Sequence, residues 1–177
     1  MKIGIDISQL AYERTGVANY LRSLVQSLIN NDHKNEYILF YSSLRRKFDV
    51  SALKIPKDAN VSLREFRFPP KLLHILWNRL HVLPIENLIG NVDLFITSDW
   101  IEPPTKKAKK ATILYDLIIY KHPDETAEKI IKTQKQKLKW VKKETDMVFC
   151  ISEATKRDAV DVLKIDPSRL QVLYPGV

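Results

Sequence analysis

Cysteine is almost absent from this 177-residue chain: the single one, Cys150, sits in the apolar run Met147–Ile151. One thiol excludes a disulfide framework and gives no metal-ligand spacing, so Cys150 reads as an inert core residue in a reducing compartment. His33, His74, His81 and His122 have no partners at ligand spacing either, and read as packing, surface or turn residues; no metal is expected. There is no uncharged run long enough to span a bilayer. The one apolar stretch near the amino terminus contains Asp6, which does not suit a signal peptide, so a cytoplasmic location is expected. Internal repeats, low-complexity tracts and shifts in composition are lacking too, and residues 1–177 are expected to form one domain. Acidic residues are the minority, 21 against 29 Lys and Arg, a net charge of +8 that suits an anionic partner such as phosphate, nucleic acid or an acidic membrane surface.

What is present is an alternation of short apolar runs with segments of helical period. Lys2–Ile7 reads as a strand, followed by a polar loop, Gly16, and a helix over Val17–Ile29 with apolar residues at Val17, Leu21, Leu24, Val25 and Leu28. Glu36–Tyr41 and Val61–Phe66 read as strands, separated by the charged loop Leu44–Asp58. Leu73, Leu76, Trp77 and Leu80 fall at i, i+3, i+4 and i+7 of a helix that starts at Pro70 and is interrupted by Pro84. Val92–Thr97 is a strand, Pro103–Pro104 a turn, Lys106–Lys110 a basic run, and Ala111–Tyr115 another strand. With Asp124 as its N-cap, a long helix from about Glu125 to Glu144 carries Ala127, Ile130, Ile131, Leu138 and Val141 on one face and lysines on the others. Asp146–Ile151 is a strand, Ser152–Leu163 a helix capped by Ser152, and Leu170–Leu173 a last short strand.

This alternation predicts a doubly wound α/β fold, a mainly parallel sheet with helices on both faces. Ligands of such sheets bind at the carboxyl ends of the strands. Those ends are Ser8–Gly16, Ser98–Pro104, Tyr115–Pro123 and Ser152–Lys156. In the first of them the amides that open the helix point, with the positive end of its dipole, into the loop, and Gly16 lets an anion approach the backbone. The plainer reading of Gly16 is a tight turn.

With those ends in view, the chain resembles the N-terminal domain of the group 1 (family 4) glycosyltransferases, which have the two-domain GT-B fold. The resemblance rests on five patterns in order along nearly the whole chain. They are Gly4-Ile5-Asp6 with Arg14-Thr15-Gly16-Val17 and Tyr20, Trp77 and Leu83-Pro84 ahead of Asp93-Leu94-Phe95, and Ile113-Leu114-Tyr115-Asp116-Leu117 with His122-Pro123. The fourth is Ser152-Glu153 with Thr155-Lys156 and Asp158, and the fifth Pro167-Ser168-Arg169 with Val172, Tyr174-Pro175-Gly176-Val177.

The resemblance implies the Rossmann-like half of a GT-B enzyme and a metal-independent, retaining transfer of a sugar from a nucleotide-sugar donor to a glycan or lipid-linked acceptor. No cofactor is expected beyond that co-substrate. It implies donor phosphate and substrate contacts at Thr15, Gly16, Val17, Ser152 and Glu153, and contact with the reacting sugar at Tyr115 and Asp116. The family usually has histidine where this chain has Tyr115, and a phenol, titrating near ~10, donates a hydrogen bond but is a poor proton acceptor at neutral pH. Asp99 and Trp100, on a strand-end loop, are candidate acceptor contacts, with an ordinary surface loop as the plainer reading. Since the family enters its donor-binding domain where this chain ends at Val177, the chain is expected to be the acceptor-side half and inactive alone.

The lysines of Lys129–Lys143 are by default a solvated face; the sharper expectation is peripheral contact with anionic membrane. Two competing functions are a basic α/β module for nucleic acid and a nucleotide-sugar-binding fragment without transfer activity. No nucleic-acid motif or aromatic-interleaved basic strand supports the first.

Overall fold

The computed structural model describes residues 1–12, 14–56 and 58–176. Glu13 of the first loop, Lys57 of the charged loop and Val177 of the closing motif lie outside the described residues. The strands are β1 (Lys2–Asp6), β2 (Glu36–Ser42), β3 (Val61–Phe66), β4 (Leu94–Thr97), β5 (Lys109–Leu114), β6 (Met147–Cys150) and β7 (Leu170–Val172). Helices are α1 (Gly16–Asn31), α2 (Pro70–Leu73), α3 (Glu86–Ile89), α4 (Ile118–Lys121), α5 (Glu128–Glu144) and α6 (Glu153–Asp161).

The strands form one parallel sheet in the order β3-β2-β1-β4-β5-β6-β7, so the doubly wound α/β expectation holds. Chain order runs outward in one direction from β1 and in the other from β4. That reversal leaves a crevice at the carboxyl ends of these two strands, where ligands of open α/β sheets bind.

Burial on both faces explains why β2 reads as a continuous apolar run rather than an alternation. Its Tyr37, Leu39 and Tyr41 enter the core with Leu21, Val25 and Ile29 of α1, while Ile38 and Phe40 enter a second core with Trp77, Ile89 and Phe95. A third cluster joins Leu138 and Val141 of α5 to Val148, Cys150, Ala159, Leu163 and Leu170. Cys150 is fully buried, and burial pushes its thiol up to about 11. In β1, a Cβ on Gly4 would stand 2.6 Å from the Phe95 ring and 2.9 Å from Ile89 Cδ1, so the strand can pass there only without a side chain.

Three expectations need correction. The segment expected as one helix from Pro70 is a single α turn that widens into a π-helical stretch over His74–Arg79 and stops at Leu80, ahead of Pro84. The wider turn seats a polar side chain inward: Asn78, buried, donates to the Trp100 carbonyl at 2.7 Å and accepts from the Glu102 N–H at 2.9 Å. The long helix begins at Glu128, not near Glu125; Pro123–Glu125 form a separate 3-10 turn, and no side chain caps α5 at Ala127. Its expected apolar face is also partly exposed at Ile130, while Lys137 on it is buried.

The basic run Lys106–Lys110 exposes Lys106, Lys107 and Lys109, but its backbone is tied down. The N–H groups of Lys106, Lys107 and Ala108 converge on Oε1 of buried Glu86 at 2.7, 3.1 and 3.2 Å. Burial pushes that carboxyl up, but backbone N–H donors outweigh it and hold it below the usual carboxylate range. Lys109 and Lys110 already belong to β5, and Lys110 is 2% exposed.

Candidate functional site

At the end of β1 the chain turns through a short 3-10 segment, Ser8–Ala11, and Arg14 takes a left-handed backbone at φ 74°. The turn into α1 is therefore made by Arg14 and not by Gly16, whose backbone is helical and whose missing Cβ faces open space, with no atom within 4 Å. Thr15 caps the helix: its hydroxyl accepts the Ala18 N–H at 3.1 Å and donates to the Tyr12 carbonyl at 3.1 Å. The tight-turn reading of Gly16 thus gives way to an exposed helix start with room for a ligand.

At the end of β4 the loop runs inward. Ser98 is buried and Asp99 and Trp100 are half-buried, which corrects the surface-loop reading. Gln134 of α5 donates Nε2 to Asp99 Oδ1 at 3.1 Å and to its carbonyl at 3.2 Å. Lys137, one turn along α5, donates to the Ser98 carbonyl. Burial pushes the Asp99 carboxyl up from its ordinary value, opposed by the nearby Lys137 ammonium and the Gln134 hydrogen bond.

Behind this loop lies a charged core. Glu102, fully buried, accepts from the Thr97 hydroxyl at 2.7 Å and the Thr145 hydroxyl at 3.1 Å, and pairs with Lys110 Nζ at 3.1 Å. Lys110 also lies 3.6 Å from Glu144, which is 2.8 Å from His81 Nε2.

Tyr115 follows β5 directly. Its phenol shares a 3.0 Å hydrogen bond with the Ser98 hydroxyl and meets the Tyr20 ring edge-on, 5.6 Å between centroids. Burial pushes the phenol well above its usual range, so at neutral pH it is a hydrogen-bonding group and not a base. Asp116 is exposed and caps the next turn, Oδ1 accepting the Ile118 N–H at 3.0 Å. Tyr20 in turn donates to the Leu173 carbonyl at 2.9 Å, where the chain leaves β7.

Val17, Asp99, Trp100, Tyr115 and Asp116 line one cavity of about 250 Å³, together with Gln134 and Lys137. The structure thus brings together five of the residues singled out in the sequence. Ser152 and Glu153 do not reach it. Ser152 caps α6, accepting the Thr155 N–H at 3.1 Å, and touches the site only through Thr155, whose hydroxyl donates to the Tyr115 carbonyl at 3.1 Å. Glu153 is exposed on α6. Thr15 and Gly16 do not line the cavity, although Val17, the next residue, does.

Sequence reasoning missed Ser98, Gln134 and Lys137. One signal was available for the lysine: position 137 lies seven after Ile130 and four before Val141, on the helix face read as apolar.

Among the described residues no group of His, Cys, Asp or Glu could hold a metal ion, and no helix is long and apolar enough to cross a membrane.

Comparison with known proteins adds a family. The pattern of Glycosyltransferase Family 4 matches residues 14–177. No curated protein matches the chain. Among solved structures, the apo form of the lipopolysaccharide outer core galactosyltransferase WaaB is similar at a TM-score of 0.54 and 14% identity, over 100% of this chain and 46% of that one. A glycosyltransferase from Rickettsia africae ESF-5 is similar at a TM-score of 0.47 and 16% identity, over 99% of this chain and 43% of that one. The chain spans about half the length of these solved proteins.

Proposed function

Because the chain belongs to glycosyltransferase family 4, we propose that it is the acceptor-side half of a GT-B enzyme that transfers a sugar from a nucleotide donor to a hydroxyl-bearing acceptor with retention. The observation that carries this reading is the cavity at the carboxyl ends of β4 and β5, where Asp99, Tyr115 and Asp116 meet beside Val17 of α1. The share of the solved relative that the chain covers, 46%, supports a second domain as the source of the donor-binding half.

In this reading the donor phosphates approach the first amides of α1 at Thr15, Gly16 and Val17, where the helix dipole favours negative charge. Ser152, the cap of α6, acts on this site only through Thr155, whose hydroxyl donates to the Tyr115 carbonyl. Asp99 accepts hydrogen bonds from acceptor hydroxyls, and Trp100 supplies an apolar wall. Tyr115 and Asp116 contact the reacting sugar. Tyr115 donates or accepts a hydrogen bond without titrating. The leaving phosphate takes the proton of the acceptor hydroxyl, so no protein base and no metal are required.

The test is sugar transfer from a panel of nucleotide sugars by a polypeptide carrying both domains. Gly16→Val should cost transfer on the order of a hundredfold, as a misplaced donor does, while the far-ultraviolet circular dichroism of this domain stays unchanged. Normal transfer in that variant would remove the anion site from the reading.

An anionic membrane is the partner we assign to the turn after the π-helical stretch. Leu80 and Val82 are 57% and 47% exposed on either side of His81, which stacks on Trp140 at 3.6 Å. The ammonium groups of Lys139 and Lys143 lie 5.2 and 5.0 Å from the same Trp140 ring, so two cations flank an apolar tip. Sedimentation with vesicles containing phosphatidylglycerol at low salt should carry the chain down. Leu80→Ser with Val82→Ser should leave it in the supernatant.

A further inference from the structure

Lys137 is a buried cation to which the reading above gives no task. It is 2% exposed near the middle of α5, beside the core residues Leu138 and Val141. Taking an ammonium out of water costs several kcal/mol unless acceptors and opposite charges compensate, and an apolar side chain would fill the same position without that cost. Burial outweighs the compensation and, with Lys110 opposing it as well, pushes the Lys137 ammonium down from its ordinary value; what compensation there is comes from the crevice and the charged core behind it. The ammonium donates to the Ser98 carbonyl, and the carboxylates of Glu102, Asp99 and Asp6 act on it. Asp6 ends β1 and Ser98 and Asp99 follow β4, so a single side chain reaches both strands of the crevice from a helix.

We propose that Lys137 is a positioning residue of this crevice: it fixes the Ser98–Asp99 segment through the Ser98 carbonyl and sets its cationic head on the same cavity wall as the Asp99 carboxyl, which faces the acceptor hydroxyls. The purpose of the charge rests on the acceptor-side reading; the coupling between the two groups does not. Asp99 is faced from α5 by Lys137 and Gln134 and from the segment after β5 by Tyr115 and Asp116, while Asp6 of β1 and Glu102 act on Lys137. Lys137 is the cation in that set. Without it, burial and the neighbouring acids act on Asp99 unopposed except for the Gln134 hydrogen bond. The carboxyl then stays protonated to higher pH and turns from an acceptor into a donor. The same ammonium secures the residue that carries Tyr115, because the Ser98 hydroxyl holds the Tyr115 phenol.

The experiment is a carbon-13 titration of the aspartate carboxyls in the 177-residue chain, with the Asp99 signal assigned by its loss in Asp99→Asn. Lys137→Met should raise the Asp99 midpoint by about one pH unit or more, the usual effect of one adjacent opposite charge, and leave exposed Asp93 in place. The coupling is reciprocal. Asp99→Asn, which keeps the size of the side chain, should therefore lower the midpoint of the Lys137 ε-carbon signal by a similar amount. This second arm decides the matter if Lys137→Met does not fold. A midpoint that stays within about 0.2 units in either folded variant, against the shift of a unit or more expected for adjacent charges, would overturn the proposal. Neither arm uses a substrate, so the outcome is independent of whether transfer assays uphold the acceptor-side reading.

Discussion

The two strands that flank the crevice end in different ways. After β1 the chain is arranged by backbone devices: a 3-10 turn, a left-handed Arg14, and a helix start that Thr15 caps and Gly16 leaves bare. After β4 it is arranged by side chains: Asn78 from below, Gln134 and Lys137 from α5, and Glu102 turned inward onto Thr97, Thr145 and Lys110. The first construction leaves room for a ligand to meet amides, and tolerates change where nothing touches. The second fixes a carboxylate in a chosen place, and every group in it depends on the next.

The largest break in that contrast should come from Glu102. Glu102→Leu leaves buried Lys110 with only the more distant Glu144 carboxylate, 3.6 Å away, and should cost about 3 kcal/mol in denaturant unfolding. Adding Lys110→Met should recover most of it, since the pair itself is worth little against apolar residues of similar size. A double variant as unstable as the single one would show that the threonine hydrogen bonds carry the stability instead.

Glycine sharpens the contrast further. Gly4→Ala forces a methyl into the Phe95 ring and should destabilise by about 1–3 kcal/mol. Gly16→Ala meets open space at a helical backbone and should change stability by less than about 1 kcal/mol, in the stabilising direction. Equal losses at the two positions would contradict the openness of the α1 start. Next in size, Thr15→Ala removes the cap and should cost about 1 kcal/mol by the same unfolding measurement.

The smallest effect concerns Asp6, whose carboxyl burial pushes up from its ordinary value, against the hydrogen bonds from Ser8. A carboxyl raised on folding contributes stability that is fully present below its unfolded value, near ~4, and is lost as pH rises through the folded value. Asp6→Asn keeps an oxygen for the Ser8 N–H but has no charge to bury. Its melting temperature should therefore rise relative to the native chain between about pH 4 and pH 7. A difference that does not vary with pH would mean that the folded chain already ionises Asp6 without penalty.

Much of this molecule could be read from residue patterns because those patterns record burial. The run EYILFY, apolar at nearly every position, is what a central parallel strand needs, and Ser152 with Thr155 and Thr15 with Ala18 obey ordinary capping chemistry. What was not legible depends on contacts between distant segments. Lys110 reads as the end of a basic run and Lys137 as one more lysine on a solvated helix; only Glu102, Asp99 and Ser98, brought from elsewhere in the chain, make them interior. Asn78 looks like a polar position on an amphipathic helix until the π-helical turn swings it inward. Asp99 and Trp100 were legible as a strand end but not as a filled one, because Gln134 lies on a helix whose start the pattern misplaced.

Tyr20 reaches two places that lie far apart along the chain. Its hydroxyl holds the Leu173 carbonyl, where the polypeptide exits the last strand, and its ring edge meets Tyr115 at the crevice. One phenol on α1 thus ties the end of the last strand to the Tyr115 side of the crevice.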